Sequence, residues 1–242
     1  MKPFGIILLA ALHLLMAGGC EHCPPLAPGT SGVEVRVLAE PKRGLHELWS
    51  GSSTDYAGPA SPRSYEPLDY DDLPGIVVWL EPIGNGTPAP APPQETTVPF
   101  DRHGRIGDRS PRGVAVGSRL VFQNQGNSPE SVYSVSEGNE FDLGAILPGQ
   151  QAEWVVRAPG VIEVLSESAT EPILRLYATP SPWLCTLRSN ETACISGLPQ
   201  GDYRITCWHE RLPGSQHVIT LSPGKRSKVT LVVSVNLLPS AP

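Results

Sequence analysis

The chain has 242 residues, with 18 Lys and Arg against 24 Asp and Glu, a net charge of −6. It carries no basic tract to neutralise phosphates, which excludes nucleic-acid binding as a function class. With 27 prolines, 24 glycines and only 17% charged residues, it reads as a protein of many turns and short strands, long enough for one large all-β domain or two small ones.

The N-terminus reads as an export signal. Lys2 supplies the positive region, Phe4 to Met16 is an apolar run too short to cross a bilayer, and small residues follow. Ala17-Gly-Gly-Cys20 has the form of a bacterial lipobox, which makes residues 1–19 the signal peptide and Cys20 the acylated residue; simple cleavage between Ala17 and Gly19 is the plainer alternative. The expected location is periplasmic or outer-membrane-associated, with membrane contact only through Cys20. Residues 20–31, rich in Pro, Gly, Thr and Ser, read as a tether.

Val33 to Leu38 alternates and is expected to form a strand. Residues 39–72 are too long for a turn and read as an excursion. Gly75 to Glu81 is a continuous, β-branched run between Pro74 and Pro82, the pattern of a buried strand. Residues 83–96 read as a loop. Strands are expected over Val114 to Gln123 with a Gly turn inside, and over 131–134, 152–157, 161–165 and 173–178, with turns at Pro148-Gly149 and Pro159-Gly160. Thr179-Pro180 reads as a domain boundary. Strands follow over 183–187, 193–196, 203–209, 218–221 and 228–235, giving a smaller sandwich of about half the usual domain length. The expected domains are therefore residues 32–180 and 181–242.

Five cysteines are present: Cys20, Cys23, Cys185, Cys194 and Cys207. Acylation of Cys20 leaves an even number, and an exported chain forms disulfides by default. Cys20 and Cys23 have CxxC spacing but lack the βαβ context of thioredoxin chemistry, and no second pair completes a zinc site. Cys185 and Cys194 flank Ser189-Asn190 symmetrically. If those two residues form a tight hairpin turn, the cysteines face each other with Cα atoms about 4.5 Å apart, within disulfide range. Cys207 on the next strand is a competing partner.

Several segments resemble the cupredoxin-like (plastocyanin-like) family in order. Phe122-Gln-Asn-Gln-Gly-Asn-Ser-Pro-Glu-Ser-Val-Tyr-Ser134 and Phe141-Asp-Leu-Gly144 resemble its first ligand segment, roughly F-x-N-x-D-x-x-x-H-N-V-F-S followed by F-D-L-G. Ile76 to Pro82, Val114 to Phe122 and Gly160 to Leu165 resemble its strands, the last running in the family into C-x-I-H-P-x-M. The resemblance implies a Greek-key β-sandwich. It also implies that Glu130 stands at the first His position, Ser166 at the Cys position, and Ala169 near the second His, with no Met in the loop. A blue-copper site needs two imidazoles and a thiolate, so Glu130 and Ser166 are vestigial ligand positions, with no metal and no cofactor expected there. Gly197-Leu-Pro-Gln-Gly-Asp-Tyr203 and Trp208-His-Glu210 resemble carboxypeptidase regulatory-like sandwiches, usually binding or spacing units.

Other candidates have plain readings. His209 and Glu210 adjoin, but neighbours on a strand point to opposite faces, so His209 is expected to be structural. Glu130, Glu163, Glu167 and Glu171 read as a solvated acidic rim rather than a cation site, as does Asp69-Tyr-Asp-Asp72. No G-x-S-x-G is present, which argues against a hydrolase. Trp79, Trp154, Trp183 and Trp208 are expected in cores or at sheet rims, and Trp49 with Tyr56 in the long loop could meet a sugar or a partner. The expected function is a non-enzymatic exported envelope module, binding an envelope protein or glycan through the 39–72 loop and the vestigial ligand end. The alternative is a copper-binding or electron-transfer protein with ligands from His103, His209 or His217.

Overall fold

The structure is a computed structural model and describes residues 23–43, 68–84, 94–107 and 110–238. The export signal, Cys20, and Trp49 and Tyr56 lie outside the described residues. In chain order the strands are β1 (Ser31–Glu40), β2 (Ile76–Pro82), β3 (Glu95–Asp101), β4 (Gly104–Arg105), β5 (Arg112–Ala115), β6 (Arg119–Asn124), β7 (Glu130–Ser134) and β8 (Phe141–Ile146). They continue with β9 (Gln151–Val155), β10 (Gly160–Ser166), β11 (Leu174–Thr179), β12 (Leu184–Leu187), β13 (Thr192–Leu198), β14 (Gly201–Trp208), β15 (Gln216–Leu221) and β16 (Arg226–Ser234). The fold is all-β, as expected.

The sheets divide into two sandwiches. One stacks β13-β1-β16 against β12-β2-β14-β15, and the other stacks β4-β3-β6-β9 against β5-β11-β10-β7-β8. Each has its own core. The first therefore takes strands from both ends of the chain, and the second, built from β3 to β11, is an insertion between β2 and β12. This corrects the expected boundaries. β1 and β2 belong with the strands of residues 184–234, not with the sandwich that follows them, and most of the expected 39–72 excursion lies outside the described residues. The C-terminal strands looked like half a domain because β1 and β2 are the missing part.

The physical reason lies in strand pairing. Val33, Val35 and Val37 point into the first core while Arg36 is exposed, the alternation of a strand with one covered face. β1 runs antiparallel to β13 and parallel to β16, where Glu34 stands opposite Lys228 and pairs with its Nζ at 3.1 Å. In β2, Ile76, Val78 and Leu80 join the same core. Val77 and Trp79 point the other way and are buried too, because the inserted sandwich covers them. A continuous apolar run is what a strand covered on both faces requires.

The two sandwiches meet through side chains of unusual fit. Gly113 of β5 lies over Val77, and its N–H donates to Thr186 Oγ1 of β12 at 2.8 Å. Tyr177 of β11 stands between two indoles, with ring centroids 5.2 Å from Trp79 and 4.5 Å from Trp208. Trp79 Nε1 donates to Glu81 at 2.6 Å.

The tether expected over residues 20–31 is docked from Cys23 onward. Cys23 is bonded to Cys194, with Cα atoms 5.6 Å apart, and Arg226 donates to the Pro24 carbonyl. This overturns the Cys185–Cys194 pairing conditional on a tight hairpin, and the competing one through Cys207. Ser189-Asn190 is not a hairpin turn: β12 and β13 belong to different sheets, and the segment turns the corner between them. Cys194 sits opposite Glu34, on the outer face of its sheet, whereas Cys185 and Cys207 flank Val78 on either side of β2 and pack toward the core. The strand between them keeps Cys185 and Cys207 apart, and both are free thiols.

Candidate functional site

The positions read as vestigial ligands do come together. β7 and β10 pair with Ser166 opposite Val132, which sets Ser166 beside the start of β7. Ser166 Oγ donates to Glu130 Oε2 at 3.2 Å, and Ser128 Oγ donates to Glu130 Oε1 at 3.3 Å. Glu130 and Ser166 are 4% and 3% exposed. Burying a carboxylate is costly unless its lone pairs are occupied, and here two hydroxyls serve both oxygens. Asn124 braces the adjoining loop: its Nδ2 donates to the carbonyls of Ser128 and Ile146, both at 2.8 Å.

The donor set does not fit a blue-copper centre. Glu130 and Ser166 offer hard oxygens, and Ala169, near the second His position, offers a methyl group that packs on the core. A soft thiolate and imidazoles are what that geometry selects.

The three histidines named as alternative ligands do not converge. His103 lines a cavity of about 230 Å³ with Gly104 and residues 169–173. Its Nε2 accepts from Arg102 Nε at 3.1 Å. His217 is exposed on β15 of the other sandwich. His209 is buried just past the end of β14, where its Nδ1 accepts the Arg211 N–H at 3.2 Å. Burial above all, with the nearby Arg211 charge, pushes its pKa down to about 4. Among the described residues no three His, Cys, Asp or Glu side chains are grouped to hold a metal.

The expected acidic rim is dispersed. Glu130 is internal, while Glu163 points out of the opposite face of β10 and pairs with Arg175 at 3.3 Å. Glu167 and Glu171 are exposed. In Asp69-Tyr-Asp-Asp72, Asp69 Oδ1 accepts the Asp71 and Asp72 N–H groups, and Asp72 pairs with Arg188. That is the chemistry of a closed turn. The Arg188 guanidinium holds the Asp72 carboxyl below its usual range.

The junction of the two sandwiches is not evident from local sequence pattern. Trp79, buried, and Trp208, at the end of β14, grip Tyr177 across the domain contact. The available signal was the buried parity of Val77 and Trp79 in β2, two residues too many for a one-sided strand.

No protein-family model matches the chain, and no curated protein matches it in sequence. Among solved structures, similar ones include a purple cupredoxin from Nitrosopumilus maritimus, at 13% identity and TM-score 0.27, covering 36% of this chain and 99% of that one. A mutant of amicyanin in the Cu(I) form gives 16% identity and TM-score 0.27, covering 34% and 82%. The copper-containing nitrite reductase of Thermus scotoductus SA-01 gives 14% identity and TM-score 0.29, covering 41% and 25%. At such TM-scores these likenesses carry no argument about this chain, and the copper is a property of those proteins.

Proposed function

We propose that this chain is an exported, non-enzymatic binding module, anchored to the envelope through an acylated Cys20. In this reading a copper-free cupredoxin-like sandwich is carried as an insertion within a carboxypeptidase regulatory-like sandwich. The single observation that carries it is the buried Glu130, hydrogen-bonded to Ser128 and Ser166 at the positions where that family places ligands. Both Glu130 oxygens are occupied by the Ser128 and Ser166 hydroxyls, which leaves this pair engaged internally in place of a reactive group. A disulfide between Cys23 and Cys194 supports export, since such bonds persist in oxidising compartments.

The test is total-metal analysis of the full chain purified without chelators. Less than a tenth of an equivalent of any transition metal is expected after dialysis. One equivalent that survives dialysis would overturn the reading.

A further inference from the structure

We propose that the cleft between the two sandwiches binds neutral carbohydrate, with a pyranose ring laid against Trp208. The proposal rests on the binding-module reading and gives it a place and a ligand class. The cleft has a volume of about 420 Å³ and is lined by Val161, Glu163, Arg175, Trp208, Glu210 and Arg211. That size is typical of small-ligand sites, about 300–1,000 Å³, which favour domain interfaces.

The strands build this wall by simple alternation. Ile162 and Val164 of β10 point into the core, which turns Val161 and Glu163 outward. Arg175 and Tyr177 point the same way from β11, toward the outer face of the β12-β2-β14-β15 sheet. Trp208 ends β14, and Glu210 and Arg211 follow it. Stacking on Tyr177, at 4.5 Å and 25°, holds the indole in place before any ligand arrives, so little side-chain entropy remains to be lost on binding. Val161, 47% exposed, adds an apolar surface beside it.

The chemistry of the wall narrows the ligand. Two carboxylates and two guanidinium groups balance in charge, so a phosphate or a polyanion gains no net attraction. β10, β11 and β14 are interior strands of their sheets, and on the β7 side of β10 the Glu163 N–H is already taken by Ser136 Oγ at 2.9 Å, which leaves little edge for an extended peptide. Carboxylates and guanidinium groups pair with neighbouring hydroxyls two at a time, and an indole accepts a C–H face. A sugar ring presents both surfaces at once.

The test uses tetramers of cello-, chito- and malto-oligosaccharides titrated into the full chain, followed by calorimetry and tryptophan fluorescence. Saturable binding of at least one is expected. Trp208→Ala should weaken it at least tenfold, and Val161→Glu, at an exposed wall position directly opposite Tyr177 on β11, should do the same, with near-ultraviolet circular dichroism checking that the Tyr177–Trp208 stack survives the change. No saturable binding to any tetramer, or binding indifferent to Val161→Glu, would overturn the proposal. Either failure leaves the copper-free reading standing, since that reading falls only on bound metal.

Discussion

Gly113 of the inserted sandwich approaches Val77 of β2 so closely that a Cβ on Gly113 would lie 2.7 Å from Val77 Cγ1 and 2.9 Å from Leu184 Cδ1. Both neighbours are branched apolar side chains at the foot of the junction. The absence of a side chain at Gly113 is what lets β5 settle over β2 and β12.

Gly113→Ala should therefore strain the junction. Overpacking of a close contact costs about 1–3 kcal/mol, and the stack of Tyr177 on Trp208 should loosen with it. The expected result is a lower urea midpoint together with a changed near-ultraviolet circular dichroism band from the tryptophans. A variant with native midpoint and native aromatic signal would show that the two sandwiches do not depend on this contact.

Much of this was legible, and the failures have a common cause. The alternation of Val33, Val35 and Val37 and the run from Ile76 to Leu80 mark strands whatever they pair with. Glu130 and Ser166, 36 residues apart, were expected in one place and share a hydrogen bond. What local pattern does not carry is the partner. β1 lies beside β16, with Gly32 opposite Arg226, and nothing near Gly32 in the chain points that far. The same gap misled the cysteines: symmetric spacing about Ser189-Asn190 describes a hairpin only if both strands share a sheet. β3 was missed because Pro99, in the middle of it, lacks a donor and argues locally against a strand.

The Cys23–Cys194 bond should matter to stability more than its place near the terminus implies. It joins positions 171 residues apart, and cross-links closing long loops restrict the unfolded chain most, commonly by about 2–4 kcal/mol. Cys194→Ser should lower the unfolding midpoint accordingly. Burial pushes the thiol pKa values of Cys185 and Cys207 up to about 12 and about 11, so both should resist alkylation at pH 8 until the chain is unfolded. Peptide mapping that found Cys185 bonded to Cys194 or Cys207 would contradict the pairing.

His209 should make the fold acid-sensitive over a defined range. Its folded pKa, about 4, lies below the ordinary value of about 6.5 in an unfolded chain. The unfolded chain therefore binds a proton before the folded one does. The contribution is fully present above pH 6.5 and is lost as pH falls toward 4, amounting to roughly 3 kcal/mol at about 1.36 kcal/mol per unit. Urea midpoints measured from pH 7 to pH 4 should fall steeply, and His209→Gln should flatten the fall. Parallel curves for the two proteins would remove His209 from the account.

With hard oxygens at Glu130 and Ser166, that end of the inserted sandwich should hold no copper centre. The direct measurement is a titration of the full chain with Cu(II), and with Cu(I) followed by oxidation, read by visible absorbance and by copper retained after dialysis. No intense thiolate-to-copper band and no stoichiometric retention are expected. One retained equivalent with such a band, or one removed by substituting His103, would contradict that expectation and make this a copper protein with ligands of its own.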